Sequence, residues 1–298
     1  MSACHWGGAW AALATPFGDD GEIDFGALAR HVEFLCTHRI DGIAACATTG
    51  EAATMTCDER QRVLEAVLAA VDHRVPVIAG VGTNDTRTTL ELARQAQRAG
   101  ADGLLVVTPY YNKPNQEGQY RHFMTVADAV ELPQILYNVP GRTGCRCLPQ
   151  TVGRLAKHPN IVGIKDATAD LAVATQTRIS CGPDFLLFSG DDGTVLPFVA
   201  VGGVGAISVV ANIAPELMHD IIALTQAGRL DEARSLHEKM FPLFLALFSD
   251  TSPIPLKAML SRAPMGYPGG LRSPLFPMTR EAADALCAPF ISWIEEIQ

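Results

Sequence analysis

Eight short, continuously apolar segments recur along the chain, and longer helical patterns separate them. Within each segment apolar residues follow one another instead of alternating with polar ones. Continuous apolarity is typical of parallel strands that are covered on both faces. The spacing leaves room for a crossover helix after each strand. The segments are residues 9–14, 40–46, 76–81, 103–107, 133–137, 161–164, 185–188 and 205–210.

The intervals between these segments carry helix signals. Residues 25–37 and 57–71 each place Leu and Val side chains along one stripe, as a helix lying on a core does. Residues 86–99 begin at a polar residue and end before Gly100, and glycine is common just past the C-terminus of a helix. The sequence therefore predicts eight strands that alternate with helices.

Such a chain forms either a closed (β/α)8 barrel or an open, doubly wound sheet. No strand is followed by a complete Gly-x-Gly-x-x-Gly turn, which disfavours the dinucleotide-binding form of the open sheet. Polar residues follow the C-terminal ends of six strands, where barrel enzymes assemble their sites. They are Thr48 to Glu51, Gly82 to Asn84, Thr108 to Tyr111, Tyr137 with Asn138, Lys165 with Asp166, and Ser189 to Asp192.

We therefore predict an α/β fold, a (β/α)8 TIM barrel with a C-terminal helical extension. The eight units reach to about residue 228, which gives a catalytic barrel of residues 1–228 and an extension of residues 229–298. Three helical patterns make up the extension, and a segment rich in Pro and Gly precedes the last of them. They cover residues 231–248, 253–261 and 280–298.

Charge and composition exclude several kinds of partner. Lys and Arg total 23 against 32 Asp and Glu, a net charge of −9, so we expect no binding to nucleic acid or to an anionic membrane. The charge-free residues 196–215 could cross a bilayer by length, but their glycines favour a buried helix, a turn and a strand. With no readable signal peptide and eight scattered cysteines, we expect a cytoplasmic protein.

Lys165 is the lysine whose position indicates chemistry, because it directly follows the apolar segment 161–164. A lysine that lines a barrel loses hydration, which lowers the pKa of an ammonium group and frees the amine to attack a carbonyl. The alternative is a lysine that pairs with the neighbouring Asp166. The other four lysines lie in polar or surface-like helical contexts: Lys113, Lys157, Lys239 and Lys257.

Other candidate site residues lie on neighbouring loops. Tyr137 ends the preceding strand, so its phenol is expected to share one barrel mouth with the amine and to pass protons there. Arg142 lies between glycines on the next loop, and its guanidinium is suited to bidentate hydrogen bonding with a carboxylate. Thr48 and Thr49 offer hydroxyls and amides to a small carboxylate. The alternatives are an aromatic cap, a surface ion pair and an ordinary helix cap, respectively.

A metal site is not expected. The eight histidines show neither His-x-x-x-His nor His-Glu-x-x-His spacing. Asp191 and Asp192 could ligate a cation, but acidic residues at a helix N-terminus need no ligand to explain them. We predict no metal and no cofactor.

Five ordered motifs carry a resemblance to a known family. They read Thr48-Thr-Gly-Glu51, Thr108-Pro-Tyr-Tyr-Asn112, Tyr137-Asn-Val-Pro-Gly-Arg-Thr-Gly144, Gly163-Ile-Lys-Asp-Ala-Thr168 and Ser189-Gly-Asp-Asp192. Over almost the whole chain this pattern resembles the dihydrodipicolinate synthase family, within the N-acetylneuraminate lyase superfamily of pyruvate-dependent class I aldolases. The family pattern Gly-Thr-Thr-Gly-Glu-Ser reads Ala-Thr-Thr-Gly-Glu-Ala here, and Lys-Glu-Ala reads Lys-Asp-Ala. Both departures leave the reacting groups in place.

The resemblance implies a reaction in lysine and diaminopimelate biosynthesis. Lys165 would form a Schiff base with pyruvate, and deprotonation would give an enamine that attacks the aldehyde of L-aspartate-4-semialdehyde. The product would be 4-hydroxy-tetrahydrodipicolinate. Tyr137, Thr48 and Tyr111 would form a proton relay, with Tyr111 supplied across a dimer interface. The family is typically a homotetramer built as a dimer of dimers.

The resemblance also implies which residues bind the substrates. Thr49 would hold the pyruvate carboxylate, and Gly190 and Ile207 would line the pyruvate pocket, Ile207 through its backbone carbonyl. Arg142 would bind the carboxylate of the semialdehyde. Sugar-acid lyases of the superfamily generally lack the Arg-Thr-Gly that contains Arg142, so its presence favours the synthase. A lyase for another 2-oxo acid, such as a sugar acid, and a silent barrel that binds 2-oxo acids stay as alternatives.

Feedback regulation is expected to be weak or absent. Lysine-inhibited family members carry His or similar groups after the Thr-Gly-Glu motif and a Glu near the Gly-x-Asn loop. The matching positions here are Cys57, Arg60 and Thr88. Arg60 would repel the ammonium group of L-lysine, and no carboxylate replaces the missing partner.

Overall fold

Eight parallel strands close into a barrel in the computed structural model, which describes residues 6–297. The first five residues, where no signal peptide is predicted, and Gln298 lie outside the described residues. The barrel confirms the predicted (β/α)8 TIM fold, and all eight strands overlap the predicted segments. They are β1 (Gly8–Ala12), β2 (Gly42–Ala45), β3 (Val77–Gly80), β4 (Gly103–Val107), β5 (Gln134–Asn138), β6 (Ile161–Asp166), β7 (Leu186–Ser189) and β8 (Gly205–Ser208).

Helices follow the strands and then form the C-terminal extension. The barrel helices are α1 (Phe25–Thr37), α2 (Cys57–Val71), α3 (Thr86–Ala99), α4 (Gln116–Ala129), α5 (Pro140–Thr143), α6 (Pro149–Leu155), α7 (Leu171–Cys181), α8 (Val195–Ala200) and α9 (Pro215–Gln226). The extension contains α10 (Leu230–Leu247), α11 (Ile254–Leu260), α12 (Arg280–Cys287) and α13 (Ile291–Glu295).

Local signals explain where α1, α2 and α3 begin and end, and these three helices have the predicted bounds. Asp24 accepts a hydrogen bond from the Ala27 amide in the first turn of α1, and Asp85 accepts from two amides in the first turn of α3. Thr56 and Glu59 form a reciprocal capping box at the start of α2. Gly100 ends α3 with a φ of 88°, a left-handed conformation that glycine adopts without steric cost.

The core has two layers. Inside the barrel, side chains such as Trp10, Ile135 and Phe188 form one buried cluster, and the Trp10 and Phe188 rings meet edge-on with centroids 5.7 Å apart. A larger apolar cluster fills the space between the strands and the helices. Because strand residues alternate between these layers, the barrel interior is filled at its centre and opens only at its mouth.

The charge-free residues 196–215 form a buried part of the barrel, as predicted. They contain most of α8, all of β8 and a short 3₁₀ turn at Val210–Asn212. Among the residues that the structure describes, no helix has the length and apolar character needed to cross a membrane.

The C-terminal extension is helical, but its last segment differs from the prediction. The sequence predicted one helix over residues 280–298, whereas α12 ends at Cys287 and a 3₁₀ turn at Ala288–Phe290 separates it from α13. Pro289 explains the break, because it has no backbone N–H to donate within a helix. The division into a barrel of residues 1–228 and an extension of residues 229–298 stays a prediction.

Candidate active site

A cavity of about 320 Å³ opens at the end of the barrel where the strands terminate. Thr48 reaches it from the loop after β2, Tyr137 from the end of β5, and Arg142 from α5. The extension closes one side of the cavity with Ser252, Pro253, Pro274 and Leu275. Three candidates from the ends of two strands, β2 and β5, therefore meet in one space, as expected of a barrel active site.

Lys165 lies beside Tyr137, which is one of the residues that line this cavity. The two residues are paired across β5 and β6, and the Lys165 Nζ is 4.4 Å from the centre of the Tyr137 ring. Lys165 is only 4% exposed. The Asp166 carboxylate is directed elsewhere and accepts a hydrogen bond from the Thr168 amide at 2.9 Å. Within residues 6–297 no ion pair joins Lys165 to Asp166, so the alternative of a paired surface lysine is wrong.

Gly190 gives the Lys165 side chain its space. A Cβ atom added to Gly190 would lie 2.8 Å from the Ala167 Cβ and 3.0 Å from the Lys165 Cε. Any larger residue would therefore push against the lysine. Ile207 is buried in the same interior cluster as Tyr137, and Thr49 is buried on the loop after β2. The proposed contacts of these three residues with pyruvate stay predictions.

Arg142 is held at the rim by the extension. Its guanidinium donates a hydrogen bond from Nη2 to the carbonyl oxygen of Ser252 at 3.0 Å. No ion pair to Arg142 is present in the described part of the chain, so the alternative interpretation of Arg142 as part of a surface ion pair is wrong. The remaining donors of the guanidinium are free to face the cavity, where a carboxylate can accept two of them.

Five of the candidates do not line the cavity, namely Thr49, Tyr111, Lys165, Gly190 and Ile207, and Tyr111 differs from the others because it is exposed. Its side chain is 87% exposed, and its backbone has a left-handed φ of 69°. Its neighbour Tyr110 lines the cavity instead. Within one chain, Tyr111 therefore points to solvent, and its role across a subunit interface stays a prediction.

Comparison with known proteins decides the family. The model of the dihydrodipicolinate synthetase family matches residues 5–290. The chain belongs to this family. It is 48% identical to the 4-hydroxy-tetrahydrodipicolinate synthase of Pelobacter propionicus over 96% of this chain and 98% of that protein. It is also 48% identical to the Pseudomonas aeruginosa enzyme of the same name, over 90% and 91% of the two chains.

Solved structures of the dihydrodipicolinate synthetase family give the same fold. The chloride-inhibited dihydrodipicolinate synthase of Acinetobacter baumannii, complexed with pyruvate, superimposes with a TM-score of 0.92 at 40% identity. The match covers 98% of both chains. A likeness at this level extends through the barrel and the extension alike.

In this dihydrodipicolinate synthetase family member, two groups near the site have surroundings that the sequence did not predict. Lys257 was placed in a surface-like helical context, which is wrong, because it is fully buried and forms an ion pair with Glu51. Asp192 is buried too, and its Oδ2 accepts hydrogen bonds from the Val209 and Val210 amides, both at 3.1 Å. Burial raises the pKa of Asp192 to about 6, and hydrogen bonds from the Ser208 side chain and the Val210 amide oppose this shift.

The sequence around Lys257 and Asp192 carries no clear signal that either side chain is buried. The acceptors and donors that bury Lys257 and Asp192 come from other segments of the family fold, so no spacing in the sequence reveals them. Asp191 lies before α8, and its Oδ1 accepts a hydrogen bond at 2.9 Å from the amide of Thr194, the residue that precedes the helix. Among residues 6–297, no group of three or more His, Cys, Asp or Glu side chains is arranged to hold a metal ion.

Proposed function

We propose that the chain is a 4-hydroxy-tetrahydrodipicolinate synthase, which condenses pyruvate with L-aspartate-4-semialdehyde in lysine and diaminopimelate biosynthesis. The observation that supports this most is the buried Lys165 amine against the ring of Tyr137, which lines the same cavity as Arg142. The enzyme acts in the cytoplasm, on small molecules, and needs no cofactor. Family membership and the two relatives of that name agree with this reaction.

The reaction begins with attack of the Lys165 amine on the keto carbon of pyruvate. Loss of water from the resulting carbinolamine leaves a Schiff base, and removal of a methyl proton gives an enamine. The enamine carbon then forms a bond to the aldehyde carbon of the semialdehyde, whose oxygen takes up a proton. The amine of the condensed semialdehyde attacks the imine carbon, which closes the ring and releases the Lys165 amine. Tyr137 is positioned beside Lys165 to exchange these protons, with Thr48 and Tyr111 as the rest of the relay.

Substrate carboxylates occupy two different places in this proposal. Thr49 holds the pyruvate carboxylate near Gly190 and Ile207, at the bottom of the site. Arg142 holds the carboxylate of the semialdehyde at the rim, where Ser252 fixes one of its guanidinium nitrogens. This separation means that the two substrates can be disturbed independently.

A direct assay tests the function. We expect turnover of pyruvate with aspartate semialdehyde and little cleavage of N-acetylneuraminate. Arg142→Ala should raise KM for the semialdehyde by about 10- to 100-fold, the loss expected for hydrogen bonds to a charged group, and leave pyruvate adduct formation largely intact. Arg146→Ala is the matched control, because Arg146 is exposed on the same loop but does not line the cavity. Turnover of N-acetylneuraminate and none of the semialdehyde would show a sugar-acid lyase instead.

We also infer a homotetramer, a dimer of dimers, in which Tyr111 enters the partner's site. The exposure of Tyr111 in one chain supports this arrangement. Mixed subunits provide the test, since Lys165→Ala and Tyr111→Phe each inactivate a homo-oligomer. In a hybrid of the two, a Tyr111→Phe subunit keeps Lys165 and receives Tyr111 from its partner, so activity returns. Hybrids that stay inactive would place Tyr111 outside the partner's site.

Feedback by L-lysine is expected to be weak. Arg60 lines the cavity and donates from Nε to the Ala52 carbonyl oxygen at 3.0 Å, and its positive charge would repel the ammonium group of L-lysine. The measurement is the initial rate at increasing L-lysine concentration, with the double variant Arg60→His, Thr88→Glu as the comparison expected to gain inhibition. Loss of wild-type activity at sub-millimolar L-lysine would contradict the prediction.

A further inference from the structure

A buried ion pair joins the barrel to the extension directly behind the Thr48–Thr49 loop. The Lys257 ammonium on α11 pairs with the Glu51 carboxylate, and both side chains are only 1% exposed. The Lys257 Nζ also donates to the Gly270 carbonyl oxygen at 2.9 Å and lies 4.3 Å from the centre of the Phe17 ring. Burial lowers the pKa of Lys257 to about 8, an effect that the negative charge of Glu51 opposes.

The second carboxylate oxygen of Glu51 is anchored to the extension as well. Its Oε2 accepts a hydrogen bond from the backbone amide of Arg272 at 3.0 Å. Glu51 itself has a left-handed φ of 55°, a conformation that a non-glycine residue keeps only where its surroundings hold it. Contacts from the extension to both oxygens of the carboxylate are the surroundings that fix this residue.

Backbone hydrogen bonds connect Glu51 to the loop that carries the candidate catalytic threonines, Thr48 and Thr49. Its backbone amide donates to the Thr48 carbonyl oxygen at 3.0 Å, and the Ala52 amide donates to Ala47 at 3.3 Å. Residues 47–52 therefore form one tight turn, with Thr48 and Thr49 between the two hydrogen-bonded ends. A displaced Glu51 would carry both threonines with it.

We propose that Glu51 and Lys257 are positioning residues, through which the C-terminal extension holds Thr48 and Thr49 in place for pyruvate. The ion pair contributes little net stability compared with an apolar pair, since both charges lose their hydration. The role of this ion pair is to hold the turn at residues 47–52 in one position. The catalytic part of this inference rests on the proposed function, in which Thr49 holds the pyruvate carboxylate and Thr48 belongs to the proton relay.

The test replaces Glu51 by glutamine, which keeps the shape of the side chain and removes its charge. We expect Glu51→Gln to raise KM for pyruvate by about tenfold or more, the equivalent of one weakened hydrogen bond to a charged group. KM for the semialdehyde should change much less, because Arg142 is held by Ser252 and not by Glu51. Glu51→Asp, which keeps the charge but shortens the side chain, should shift KM for pyruvate in the same direction by a smaller factor.

Glu59→Gln is the matched control. Glu59 also forms an ion pair with the extension, but it binds the Arg272 guanidinium, whereas Glu51 accepts from the Arg272 backbone amide. Among the described residues the Glu59 carboxylate has no hydrogen bond to the turn at residues 47–52. This variant should lower thermal stability without changing KM for pyruvate. Equal effects of the two glutamine variants on KM for pyruvate would overturn the positioning role.

Hydrogen exchange separates this inference from the proposed reaction. In Glu51→Gln the amides of residues 47–52 should exchange faster than in the wild type, and in Glu59→Gln they should not. Unchanged exchange in Glu51→Gln, or an unchanged KM for pyruvate, would overturn the proposal. Faster exchange in a protein whose wild type forms no pyruvate adduct would support the anchoring and reject the proposed reaction.

Discussion

Lys165→Ala should abolish the covalent pyruvate adduct and lower kcat by more than about 10⁴-fold, since it removes the nucleophile on which every later step depends. The measurement is reduction with borohydride in the presence of pyruvate, followed by intact mass and peptide mapping. In the wild type the added mass should map to the peptide that contains Lys165. The variant should keep its fold, because alanine at the end of β6 leaves the backbone pairing with β5 unchanged.

Two other lysines make this result specific. Lys157 is exposed at the end of α6, and Lys157→Ala should form the adduct at the wild-type rate. Lys257 is as well buried as Lys165 but is engaged by Glu51 and Gly270, so its peptide should stay unmodified. An adduct on Lys257, or one that persists in Lys165→Ala, would end the Schiff-base proposal.

The sequence predicts that Lys165 and Tyr137 lie side by side because a barrel has a simple geometric rule. Parallel strands end on one side, so side chains at successive strand ends meet, whatever the loops do. The two residues are directly paired in the register of β5 and β6. Local capping signals likewise predict α1, α2 and α3 to the residue, because a cap depends on neighbours within one turn.

The environment of Lys257 could not be predicted in the same way. The helical pattern around it is compatible with a surface position, and only the approach of Glu51, Phe17 and Gly270 from distant parts of the chain makes it buried. Tyr111 poses a related difficulty, since its surroundings in an oligomer are not a property of one chain. Residues that act through tertiary contacts leave little trace in local spacing.

These contacts also change the view of the extension. The sequence treats it as helices that follow a finished barrel, yet Ser252 fixes Arg142, and Arg272 fixes both Glu51 and Glu59. The extension thus contacts Arg142, which is proposed to bind the semialdehyde, and Glu51, which is proposed to position the pyruvate-binding threonines. A truncation before α11 would therefore be expected to damage binding as well as stability.

Tyr137→Phe should lower kcat by about 10²- to 10⁴-fold, the usual contribution of a positioned general acid and base, and change KM for pyruvate only slightly. The variant removes one hydroxyl and keeps the ring that lies 4.4 Å from the Lys165 Nζ, so the packing of the lysine is preserved. Steady-state kinetics and the rate of borohydride-trapped adduct formation are the measurements, and both rates should fall together.

Tyr120→Phe is the matched control for the loss of a hydroxyl beside a cation. Tyr120 lies on α4 with the Arg154 guanidinium 3.9 Å from its ring centre, well away from the cavity lining. Its kcat should equal that of the wild type. A Tyr137→Phe variant whose kcat stays within about tenfold of wild type would contradict proton transfer by Tyr137, because the ring alone would then account for its place beside Lys165. A slower rate only after the adduct has formed would instead confine its role to the later proton transfers.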